Sequence, residues 1–415
     1  MCYIIKIETM ISIDVIRPGS LFQIVGPVAT LRRILLNRDY FITNDLDVTV
    51  YNGNREYKTL DDLTSNNKGR AYGRKHRLFE WLSHHADKSY LISVFLIEYK
   101  YQTAKRFIKQ YLEKRRNPDV AVLHSPVESY WYLKLRESQK TKCAVFFHND
   151  CIPNELIFMM YPKLRGSSYE KLLLRRYEYV VNNADKLCYI CEIGKKNMNK
   201  YFPASIEKSA LVINGITDYT NEEKETAAQI ISNRNTTTIN LCCVGSVTIR
   251  KAQRKAIEAI SLLPIEVRKR YHLTIVGGGA DLDYCKELVS KNDLDEIVSF
   301  TGAVPNSEVY KYLANTDVFI LLSENEGLPI SIIEAMRAGL AVVSTNVSGI
   351  PELVSNNNGV LIKSDAREFA NILSADNHDW KQMGKNSREL FEKRFTFERM
   401  REDYVKMINS LYVDM

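Results

Sequence analysis

Short apolar runs alternate with helical patterns along most of this chain. In the C-terminal half, 241–245 reads as a strand and 252–263 as a helix. Residues 271–276 form the next strand, followed by Gly277, Gly278 and Gly279 and a helix to about Asn292. The strands continue at 298–300, 318–322 and 341–344, with helices at 307–315 and 329–338 between them. Gly339 follows the last helix, where a helix-ending glycine belongs. Strands separated by helices predict a parallel sheet covered on both faces. Such sheets bind ligands in the crevice beyond the strand C-termini.

The N-terminal half has the same grammar. Strands are predicted at 11–16, 47–51, 119–124, 143–148, 186–190 and 210–213, and Pro27 suits the first turn of a helix running to about Asn37. Two of these runs end in a histidine, His124 and His148. Between Asp218 and Asn240 the composition turns polar, which places a domain boundary there. The expected division is 1–218 and 219–394. An amphipathic segment from about 395 to 415, carrying Phe395, Phe397, Tyr404 and Tyr412, is expected to pack back on the first domain.

At 415 residues the chain exceeds one ordinary core, in keeping with two domains. The formal net charge of +7 is a mild excess. It suits an anionic small ligand or an anionic membrane surface and does not call for nucleic acid. No apolar run approaches the roughly 18–20 residues that span a bilayer. The first residues carry no charged leader with a long apolar segment behind it, so secretion is not expected. The eight cysteines are scattered, and Cys188 and Cys191 form a CxxC without a second pair. Reduced, packed thiols in a cytoplasmic protein are the reading that follows.

The densest chemistry lies at 323–336. Glu326 stands in a loop after an apolar run, and Glu334 stands eight positions later inside the following helix. Gly327, Leu328 and Pro329 between them leave backbone amides at a helix N-terminus, an anion site. Carboxylates are strong acceptors for sugar hydroxyls. Gly245 and Ser246 end a strand and lead to the adjacent cations Arg250 and Lys251. These parts suit a diphosphate flanked by a sugar and a ribose.

In this order the pieces resemble the retaining glycosyltransferases of family 4, which have the GT-B fold. Glu326 and Glu334 meet the E-x7-E motif. Gly245 and Lys251 meet the G-R-L-x-x-x-K-G loop, with Ser246 where the arginine is usual. Residues 275–279 meet I-V-G-x-G, residues 298–302 meet V-x-F-x-G, and residues 349–354 meet G-x-P-E-L-V. The resemblance implies an α/β architecture of two Rossmann-like doubly wound domains facing a central cleft. It implies a metal-independent retaining transfer with no cofactor, the nucleotide sugar being the donor substrate and UDP the favoured carrier. Lys251, Glu326 and His148 would be catalytic. Donor binding would fall to Gly245, Ser246, Arg250, Lys251, Gly277, Gly279, Phe300, Thr301, Gly302, Ser323, Glu326 and Glu334, with the turn at Gly327, Leu328, Pro329 and Ile330. Gly26, alone where relatives carry paired glycines, would lie on the acceptor side with His124 and Asp150. The acceptor would be a glycan, glycolipid or lipid-linked molecule of surface polysaccharide synthesis.

Three D-x-D triplets, at 45–47, 281–283 and 293–295, read as structural or surface features. The segment 101–116 is amphipathic, with Tyr101, Ala104, Phe107 and Ile108 on one side and Lys105, Arg106 and Lys109 on the other. Its basic side either faces solvent or rests on the inner face of the cell membrane. Two other functions stay open at this level: a non-catalytic glycosyltransferase-like binding subunit, for which Ser246 speaks, and a sugar-nucleotide epimerase of the same fold.

Overall fold

A computed structural model describes residues 10–18, 26–52, 55–58, 79, 81–83, 85–114, 117–138, 140–234, 237–375 and 377–412. The chain forms two compact units. One is the chain up to Val212 together with the segment from Arg401, and the other is Ile213–Met400.

The first unit holds a seven-stranded sheet. Its strands are β1 (Ile11–Ile16), β2 (Leu46–Asn52), β3 (Arg55–Tyr57), β4 (Val120–Leu123), β5 (Lys142–Phe147), β6 (Lys186–Tyr189) and β7 (Ser209–Leu211). They lie in the order β3-β2-β1-β4-β5-β6-β7, all parallel except β3. β4 is buried along its whole length, as expected of a strand covered on both faces. The 25-residue helix Tyr90–Lys114 covers part of this unit, burying Ile97, Tyr101, Phe107 and Tyr111. Residues 101–114 are thus the second half of a longer helix whose apolar side serves the core, while 115–116 of the predicted segment lie outside the described residues.

The second unit holds six parallel strands, β8 (Ile239–Val244), β9 (Tyr271–Val276), β10 (Val298–Gly302), β11 (Val318–Leu321), β12 (Ala341–Thr345) and β13 (Gly359–Ile362). Their order, β10-β9-β8-β11-β12-β13, runs outward in both directions from β8. The order reverses between β8 and β11, the place where a parallel sheet of this kind takes its ligands at the strand C-termini.

The unit division falls after Val212, not within the polar stretch beyond Asp218. Residues 213–218 are tied to the second unit by main-chain and ionic bonds. Ile216 donates its N–H to the Phe395 carbonyl at 3.0 Å and accepts from the Phe397 N–H at 2.9 Å. Arg388 grips both carboxylate oxygens of Asp218, at 2.8 and 2.6 Å. The polar stretch itself folds as the helix Asn221–Asn233, with a Thr220–Glu223 capping box at its start. The final amphipathic segment becomes the helix Phe397–Asn409. Tyr404, in the part assigned to the first unit, packs against Phe41 and stacks on Phe146.

Candidate functional site

In the second unit the β8 loop and the β11 loop converge. Gly245 leaves β8 with φ +138, a conformation that side chains rarely adopt. The loop then turns tightly: the Ala252 N–H bonds the Thr248 carbonyl at 2.9 Å, and Ala252 itself is left-handed at φ +51. Gln253 pins the turn by donating to the Ser246 carbonyl at 3.1 Å. This fixes Lys251 and Arg250 at the crevice, while the Ser246 side chain is exposed.

Glu326, 7% exposed, is the meeting point. Lys251 Nζ lies 2.6 Å from its Oε1, and Arg250 Nη1 lies 3.1 Å from the same oxygen. Ser323 Oγ donates to that oxygen at 2.8 Å. Arg250 also donates to the Asn325 carbonyl at 2.6 Å. Behind them Lys255 holds Glu324 and donates to Ser364 Oγ at 2.7 Å, bracing the β11 loop from below. A buried carboxylate with two cations and a hydroxyl meets the pairing that burial demands.

The chain then starts the helix Ile330–Arg337 with Pro329 as its N-cap. Ile332 and Ile333 donate to the Pro329 carbonyl, whereas Ile330 and Ser331 precede the first helical bond. Their amides carry the positive end of the helix dipole. Leu328 is buried behind the turn. Glu334, one turn on, is buried and accepts from Asn306 Nδ2 at 3.3 Å. Gly339 ends the helix at φ +73, as expected.

The glycines after β9 lie against the β8 loop. A Cβ on Gly277 would meet the Gly245 carbonyl oxygen at 1.9 Å, and one on Gly279 would meet the Val247 carbonyl oxygen at 2.1 Å. They are small because the β8 loop lies against them, so they shape the loop that carries the cations. Phe300 packs partly against the unit's core. Thr301 is bulged out of the β9 pairing, and Gly302 turns at φ +69. Among the D-x-D aspartates, Asp47 pairs with Arg38 and Asp295 accepts from Ser290, while Asp281 stands at a helix N-cap position without a side-chain cap bond.

The remaining predicted residues lie in the first unit. Gly26 opens the helix Gly26–Leu36. Asp150 is buried, and its carbonyl accepts from Asn197 at 2.7 Å. His124 and His148 extend past the ends of β4 and β5. Their Nδ1 and Nε2 atoms are 2.9 Å apart, and their rings stack at 5.1 Å. Burial lowers the pKa of both rings, that of His148 to about 3. Both imidazoles are therefore neutral near pH 7, and one donates an N–H to the other.

Asn306, Asn325 and Lys255 had no sequence signal. Asn306 lies in the loop after β10 and reaches Glu334 only through the fold. Arg250 was visible as a candidate, and its contact with Glu326 puts a second cation beside Lys251.

Residues 223–390 match the family described as glycosyl transferases group 1. One curated relative is the amylovoran biosynthesis glycosyltransferase AmsK of Erwinia amylovora, 35% identical over 143 residues, or 32% of this chain and 35% of that protein. The chain spans less than half the length of the first curated relatives it matches. Among solved structures, Anabaena HepE in complex with UDP has a TM-score of 0.63 at 16% identity over 97% of this chain and all (100%) of that one. Sucrose-phosphate synthase of Thermosynechococcus elongatus has a TM-score of 0.72 at 17% identity over 98% and 100%. These likenesses establish the GT-B fold, two α/β units with parallel sheets. The likeness to the glycosyl transferases of group 1 lies within the second unit.

Proposed function

We propose that this protein is a retaining, metal-independent glycosyltransferase that moves a hexose-type sugar from a nucleotide diphosphate sugar to a glycan, glycolipid or lipid-linked acceptor. The convergence of Lys251 and Arg250 on Glu326 beside a helix N-terminus carries this reading. UDP is the favoured carrier, since HepE, which shares the fold, was solved with UDP. Surface polysaccharide synthesis is the favoured setting, since AmsK is named for amylovoran biosynthesis.

In this reading the diphosphate takes Lys251, Arg250 and the amides of Ile330 and Ser331. Glu326, released from part of its ionic contact, accepts hydroxyls of the sugar, and Glu334 accepts those of the ribose. As the bond from anomeric carbon to phosphate oxygen breaks, charge grows on the leaving diphosphate, where fixed cations and amides lower the barrier. The acceptor oxygen bonds the anomeric carbon on the same face, and its proton passes to the departing phosphate.

A thermal-shift panel of UDP-, GDP- and ADP-sugars tests the donor site. A donor at about 100 times its dissociation constant adds about 2.7 kcal/mol. No shift with any member overturns the reading. Stabilisation without turnover of the donor, with or without acceptor, identifies a binding subunit instead.

A further inference from the structure

The helix Tyr90–Lys114 buries one face in its own unit and carries exposed apolar side chains on the other. Leu91, Phe95 and Tyr99 follow each other at one-turn spacing on that outer face and are 76%, 51% and 49% exposed. Phe79 joins them, its ring 4.5 Å from Tyr99 and 6.3 Å from Phe95. Trp81, 53% exposed, stacks on His85 just before the helix. Scattered single apolar residues on a surface need no explanation, but a contiguous aromatic stripe does.

Further along the same helix the outward positions change character. Lys100, Arg106, Lys109 and Lys114 are exposed there, against one exposed acid, Glu113. Apolar and aromatic residues thus lead into a basic run on one exposed side. Aromatic rings favour the boundary between acyl chains and headgroups, and lysine and arginine favour anionic headgroups. The charge excludes a basic partner, and a stripe running from rings to cations complements a bilayer surface better than a closed protein pocket. No helix among the described residues is long and apolar enough to cross a membrane, so contact through this helix would be with the surface.

We infer that the outer face of Tyr90–Lys114 docks this protein on an anionic lipid surface, with Leu91, Phe95, Tyr99 and Trp81 entering the interface and Lys100, Arg106 and Lys109 meeting phosphate headgroups. This differs from a purely electrostatic contact through 101–116, because the apolar anchor lies on the first half of the helix.

The test uses the full chain and vesicles of phosphatidylcholine with or without about one-third phosphatidylglycerol. Flotation should show binding to the anionic vesicles and little to the neutral ones. The Leu91→Ser/Phe95→Ser double variant, altered only at exposed positions, should fold normally by circular dichroism and bind roughly tenfold more weakly. Arg106→Glu/Lys109→Glu should remove the preference for anionic vesicles. Wild-type protein that ignores both vesicles, or a serine variant that floats equally well, overturns the inference. So does a concentration-dependent dimer that the serine variant abolishes, which would make this face an interface between copies. Lipid binding is read directly, so the result is independent of whether the donor site turns over a nucleotide sugar.

Discussion

Lys251 Nζ stands 2.6 Å from Glu326 Oε1, and Arg250 shares that oxygen from the other side. The two cations are not equivalent: the Lys251 side chain is 12% exposed and that of Arg250 is 42% exposed. The less solvated charge interacts more strongly with a developing phosphate charge. Lys251→Ala should therefore lower kcat for donor turnover by about 100- to 1,000-fold, the range seen when one preorganised donor is removed. Arg250→Ala should cost roughly tenfold, mostly in donor KM. Steady-state kinetics on the stabilising donor checks both, and equal losses would contradict the ranking.

Ser323 is fully buried, and its hydroxyl donates to Glu326 Oε1 at 2.8 Å. Its carbonyl accepts from Thr345 Oγ1 at 2.6 Å, which joins the β11 loop to β12. Ser323→Ala keeps the second bond and deletes the first. The loss should be about 1–2 kcal/mol, since the acceptor is charged and buried. For a unit the size of Ile213–Met400 that is a fall in Tm of about 2–4 °C per kcal/mol, read by calorimetry.

Much of this was legible in the chain because the signals were local. Apolar runs ending in glycine marked β8 and β9, and the Glu326-to-Glu334 spacing with its Gly-Leu-Pro turn located the helix start and both carboxylates. What escaped depended on contacts distant in sequence. Residues 213–218 looked like part of the first domain, yet their bonds to Phe395, Phe397 and Arg388 join positions about 170–180 apart. The helix Asn221–Asn233 passed for a linker because its composition is polar, although Thr220 and Glu223 spell a capping box. The pairing of His124 with His148 needed β4 and β5 to be neighbours in the sheet, which periodicity alone does not tell.

The three consecutive glycines should respond unequally. A Cβ on Gly278 would stand 3.5 Å from its nearest neighbour, an ordinary contact, whereas those on Gly277 and Gly279 would overlap backbone of the β8 loop. Gly278→Ala should be near neutral. Gly279→Ala must push Val247 aside and displace the loop that carries Lys251, costing about 3 kcal/mol or more. Urea unfolding ranks the variants, and a Gly279→Ala protein as stable as Gly278→Ala would remove the case for loop-on-loop packing.

The stacked histidines make stability depend on pH in a set direction. Burial is the main cause of the lowered pKa of both rings; the charge of Arg17 adds to it in each case, and His148 adds to it for His124. In the unfolded chain each ring titrates near the ordinary value of about 6.5. Below that pH the unfolded state binds protons that the folded state refuses, so stability falls as pH drops, down toward about 3 for His148. Each ring contributes at most about 1.4 kcal/mol per pH unit in that window. Urea midpoints at mildly acidic and neutral pH should diverge for the wild type, and His124→Asn/His148→Asn should flatten the difference even if it lowers both midpoints. An unchanged pH slope in that variant would mean the pair is protonated as easily when folded as when unfolded.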